Sequence, residues 1–122
     1  MVVTNALGVA FTATLLAASD AGVTFAFSED GATNALAWAQ LAPASRAAVC
    51  DALDFAPVPP ALAATFAVAR NELRRVDALV ADERLDVAAA ARRRASVRAA
   101  FARRARAAGL DEAAIRRLLA RL

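Results

Sequence analysis

The chain has 122 residues and a formal net charge of +3, a length that suits one domain with room for an appended helix. Its 60% hydrophobic content includes 38 alanines, which favour helix but bury little area, so the large apolar residues can build only a small core. With no histidine, lysine or tyrosine and a single cysteine, Cys50, the composition excludes an intrachain disulfide, zinc-finger spacing and any histidine-based catalytic dyad or triad.

All 15 basic residues are arginine, a bias that a GC-rich genome accounts for. Codon bias does not account for their placement. Residues 1–69 carry a net charge of −4, whereas residues 70–122 carry 14 arginines against seven acids, a net of +7. Such asymmetry points to an acidic partner for the second half.

Residues 5–16 alternate, with Leu7, Val9, Phe11, Ala13 and Leu15 on one side, which predicts a strand with one buried face. The SDAG turn at 19–22 leads into a second strand carrying Val23, Phe25 and Phe27. The SEDG turn at 28–31 then allows a third strand that turns Leu36 and Trp38 inward, although its alanines leave a helix from Thr33 as the alternative. The uncharged run Val2 to Ser19 has a rival reading as a membrane helix. Thr4, Asn5, Gly8, Thr12 and Thr14 argue against it, as does the absence of any arginine before Arg46.

Pro43 to Phe55 reads as a short helix with Val49, Cys50 and Leu53 on one face, and APVPP at 56–60 reads as a stiff linker. From Ala61 the period changes: Leu62, Phe66, Ala69, Leu73, Val76 and Val80 form a heptad seam. In the same register it continues through Glu83, Val87, Ala90, Arg94, Val97, Phe101 and Arg104. No glycine or proline interrupts 61–108, which favours one unbroken helix of about 72 Å. A break near Leu85–Asp86, with Asp86 as a new N-cap, is the alternative and makes a helical hairpin. Gly109 ends the segment, and Asp111 caps a last helix with Ile115, Leu118, Leu119 and Leu122 on one face.

The fold expected is therefore α+β. A small antiparallel β-meander with a short helix spans 1–56, a Pro-rich linker spans 57–60, and a helical arm spans 61–122. That arm holds a long Ala/Arg-rich helix, or a helical hairpin, and a short C-terminal helix. The expected core is Leu7, Val9, Phe11, Val23, Phe25, Phe27, Trp38, Val49 and Leu53, closed by Leu62 and Phe66.

Residues 92–106 hold seven arginines and no acid. On a helix Arg92, Arg93, Arg94, Arg98, Arg103, Arg104 and Arg106 spread around nearly the whole circumference, leaving Val97 and Phe101 as a narrow apolar strip. Such a helix resists burial against protein and suits phosphate contact, for which the guanidinium fork is well matched. No helix-turn-helix, zinc finger or aromatic RNA-stacking pattern accompanies it. The acidic pairs Asp51/Asp54 and Glu29/Asp30 read as solvated, and no glycine-rich phosphate loop or metal-ligand spacing is present.

The expectation is a non-catalytic structural or assembly subunit of a larger complex, with no cofactor, metal or small-molecule substrate. Leu73, Val76, Val80, Ile115, Leu118, Leu119 and Leu122 would face a protein partner or a second copy, as in a coiled coil. The seven arginines would contact a polyanion, nucleic acid first. A pure protein-interaction subunit docking an acidic neighbour is the alternative, and a small membrane subunit using residues 2–27 is the least favoured. A lone cysteine fits an intracellular, reducing compartment.

Overall fold

The computed structural model describes residues 1–122 and divides them into two compact units, Met1–Pro57 and Val58–Leu122. The architecture is α+β: a four-stranded antiparallel meander, then helices.

In the first unit β1 (Val2–Thr4), β2 (Ala10–Ala18), β3 (Gly22–Phe27) and β4 (Thr33–Ala37) lie in sequence order. Helix α1 (Pro43–Leu53) follows. Val3 pairs with Phe11, Leu15 with Phe25, and Val23 with Leu36, so these side chains share one face. That face and Val49 of α1 enclose a core of Val3, Ala13, Val23, Phe25, Trp38, Leu41 and Val49, against which Phe11, Leu15, Phe27, Cys50 and Leu53 pack. Phe11, Phe25 and Phe27 meet at centroid distances of 5.1–5.5 Å. Trp38 stacks on Phe55 and donates its indole N–H to the Ser19 carbonyl at 2.8 Å.

Leu7 and Val9 depart from the expected core, being 90% and 57% exposed. Alternation alone misreads this segment because Asn5 is a turn former. Its Oδ1 accepts hydrogen bonds from the backbone N–H of Leu7 and Val9, and Gly8 supplies a φ of +85°. The chain therefore reverses at 5–8, and Val3 on β1 takes the inward place given to Leu7. Residues 2–27 form three strands rather than a membrane helix, and no helix is long and apolar enough to cross a membrane.

The second unit is helical: α2 (Ala63–Ala81), α3 (Val87–Ala107) and α4 (Glu112–Arg121). The single long helix favoured by the sequence is not formed. Asp82 ends α2, Glu83 adopts the left-handed conformation at φ 57°, and the N–H groups of Glu83 and Arg84 donate to the carbonyls of Val80 and Leu79. This is a Schellman stop with glutamate in the place usually held by glycine. Asp86 then caps α3, accepting from the Ala89 N–H at 2.7 Å. The reversal lets the seam of α2 pack on α3. Phe66 meets Phe101 edge to face at 5.7 Å, so Phe66 belongs to the helical core and not to the sheet core. A second Schellman stop at Gly109 and an Asp111 cap turn the chain into α4, whose Ile115 and Leu118 are buried.

Two substitutions test this account with opposite signs. Phe101→Ala empties the centre of the hairpin and should cost about 3–5 kcal/mol. Glu83→Gly relieves the left-handed backbone and should stabilise by about 0.5–1 kcal/mol after the entropy cost of glycine. Urea denaturation followed by circular dichroism measures both.

Candidate functional site

Hairpin formation sorts the seven arginines of α3 into two sets. Arg94 reaches across to α2 and pairs with Asp77 at 2.6 Å. Arg98 donates to the Leu119 carbonyl at 2.8 Å, near the C-terminal end of α4. Arg106 clamps Glu112 through two hydrogen bonds of 2.6 and 3.1 Å, tying the end of α3 to the start of α4. Arg92, Arg93, Arg103 and Arg104 make no ion pair, hydrogen bond or ring contact within the chain.

The sorting follows angle. At about 100° per residue the three partnered arginines occupy one arc of about 120° and the four unpartnered ones another, on the outer side of the helix. Arg92–Arg93 and Arg103–Arg104 form two doublets separated by 11 residues, about 16 Å along the axis and nearly in line. Between them on the same arc lie only small residues, Ser96 and Ala100.

The expectation that so basic a helix cannot pack against protein is corrected by its alanines. Ala90, Phe101, Ala102 and Ala105 are buried and widen the strip that sequence inspection confined to Val97 and Phe101. Alanine lets backbones approach closely while guanidinium stems run outward.

The expected partner surface is also corrected. Val76, Ile115 and Leu118 are buried inside the chain, and Leu73, Val80, Leu119 and Leu122 are half-buried. The apolar stripes of α2 and α4 therefore serve mainly the packing of this unit, where the hairpin supplies the cover that a second molecule was expected to supply.

What remains open lies on the side of the hairpin away from α4. Two adjoining hollows run between α2 and α3. Thr65, Val68, Ala69, Glu72, Val97, Ala100, Phe101 and Arg104 line one. Glu72, Arg75, Val76, Leu79, Arg93, Ser96 and Val97 line the other. They share Glu72 and Val97 and so form one groove with an apolar floor and a charged rim. Val68 is 61% exposed there. Sequence reasoning passed over Thr65, Val68, Glu72, Arg75 and Leu79, although their 3-4-3-4 spacing marks a second stripe of α2 beside the heptad seam. Its mixed chemistry hides it from a search for apolar residues.

No group of three His, Cys, Asp or Glu residues is placed to hold a metal. Cys50 is in no disulfide and packs at the margin of the sheet core. No protein-family model, curated protein or solved structure matches the chain.

The Arg106 clamp is pH-sensitive. Its hydrogen bond holds the Glu112 carboxyl below the usual carboxylate range, outweighing a smaller opposing desolvation, and Glu112 in turn raises Arg106. Because the Glu112 value is depressed on folding, the stability it contributes is complete above the ordinary carboxylate range and is lost as pH falls through the folded value. The urea midpoint of the wild type should therefore drop more between about pH 6 and pH 3 than that of Glu112→Gln. Equal drops would mean the clamp does not form in solution.

Proposed function

We propose that this chain is a non-catalytic assembly subunit of a larger complex, held to an anionic macromolecule by the outer arginine arc of α3. One observation carries the reading: Arg92, Arg93, Arg103 and Arg104 lack intrachain partners and share one exposed arc, while the other three arginines of the segment are satisfied within the fold. Four guanidinium groups on one arc raise the local positive potential, attract polyanions and speed encounter. The doublets present their forks to phosphate or carboxylate oxygens without rearrangement of the helix.

Nucleic acid is the polyanion that the arginine run first brings to mind, and an acidic protein surface is the other source. Both require the same four side chains, so the reading is tested before the source is decided. On immobilised heparin, replacing Arg92, Arg93, Arg103 and Arg104 with alanine should lower the eluting salt concentration strongly. Replacing Arg94, Arg98 and Arg106, charges of the same sign on the same helix, should lower it much less, with circular dichroism confirming the fold of each variant. Equal effects from the two sets would refute the reading, since net charge alone would then govern retention. With duplex DNA as the probe, engagement of all four arginines would give a fall in log K of about 3–4 units per decade of salt. A flat response would remove nucleic acid as the source.

A further inference from the structure

We infer that the groove between α2 and α3 seats an acidic amphipathic helix of a partner protein; this rests on the anionic-partner reading and names the partner's form. The groove runs from Thr65 to Leu79, 15 residues of α2 spanning about 21 Å, the length of a four-turn helix. Its buried lining is Ala69, Val76 and Phe101, and Val68, Val97 and Ala100 extend this apolar surface outward, where another helix could pack on it. Its rim carries the unpartnered Arg75, Arg93 and Arg104. α3 already packs against one helix, α4, which buries Ile115 and Leu118.

Charge complementarity selects the occupant. Three arginines border the floor, so the incoming helix carries carboxylates along both edges of an apolar stripe. A phosphate backbone has nothing to bury on Val68 and Val97 and would meet the Glu72 carboxylate, which lies where the two hollows join and makes no ion pair. For a helix, Glu72 is a register mark, matched by a basic or hydrogen-bond-donating residue near its midpoint. A second copy of this chain is a poor occupant: the apolar face of α1, which carries Arg46 and Asp51, lines the sheet core, and α4 is basic and already packed.

The test uses the full chain and three fluorescent probes. The first is a synthetic four-turn peptide with leucines at helical i, i+3/i+4, i+7 spacing and glutamates beside them. The second is the same composition scrambled to destroy the stripe, and the third is a short DNA duplex. The ordered peptide should bind at least about tenfold more tightly than the scrambled one. Val68→Glu, at a mostly exposed position, should abolish that preference while leaving circular dichroism and melting unchanged. Arg93→Ala with Arg104→Ala should weaken binding of both peptides. Equal binding of both peptides, with sensitivity only to the arginines, would overturn the groove inference and leave the anionic-partner reading standing. DNA bound in preference to the ordered peptide, with Val68→Glu without effect, would assign the site to nucleic acid. Binding of none of the probes would sink both.

Discussion

The reversal of the chain at residues 82–86 governs the helical unit. Without it the stripe of α2 would have no α3 to cover it, and Phe66, Ala69 and Val76 would face water. With it, Phe66 closes on Phe101, and Ala90 and Ala105 come inside. The turn is built at some cost. Glu83 takes a backbone conformation unfavourable by about 1–2 kcal/mol for a residue with a Cβ. The Asp86 cap and two reverse-turn hydrogen bonds offset part of this, and burial of the aromatic pair supplies the rest. Tertiary packing thus overrides the preference of an alanine-rich segment for continuous helix.

The same reversal decides which charges are free. Folding α3 back brings Asp77 within reach of Arg94, and the next turn brings Glu112 to Arg106 and the Leu119 carbonyl to Arg98. The two ion pairs face solvent and add little stability, while the Arg98 bond to the Leu119 carbonyl is partly buried. The larger effect of all three contacts is on the charge pattern, because they engage three arginines within the fold and leave a set with one orientation. Charge count along a sequence treats all seven alike; the fold separates them by angle.

Sequence patterns were most readable where two signals agreed. Alternation plus turn chemistry placed β3 and its flanking turns, and Pro43 with the spacing of Val49, Cys50 and Leu53 placed α1. Around Asn5–Gly8 alternation stood alone and misled, because a side-chain-capped turn can sit inside an apolar–polar rhythm. The heptad register holds along α2 from Leu62 to Val76, breaks at Glu83 and Val87, which are exposed at the reversal, returns at Ala90 and Phe101, and fails again at Arg104, where Ala105 is the buried residue. Alanine is invisible to a search for large apolar side chains, yet it makes up much of the α3 contact. The arginine segment was legible as a basic element; which four of its members stay free depends on partners 6 to 21 residues away in sequence, a distance over which no local pattern carries information. The groove was illegible for a related reason, since its walls come from two helices that pack only after the chain reverses.

A uniform basic surface and a basic-rimmed apolar groove differ in what they can recognise. The first attracts any polyanion, with an affinity that falls steeply with salt. The second adds a short-range requirement for shape and apolar contact that salt does not screen. In this hairpin the two features overlap at Arg93 and Arg104, which stand on the outer arc and also on the groove rim. Under the proposed reading, long-range attraction and local fit would act through shared residues: the arc would set how often an anionic partner arrives, and Val68, Val97 and Glu72 would set whether it stays. Placing one carboxylate inside a field of arginines weakens the attraction for every polyanion but disfavours most those with no cation to offer, which is how a net positive groove can prefer a patterned helix over a bare phosphate chain.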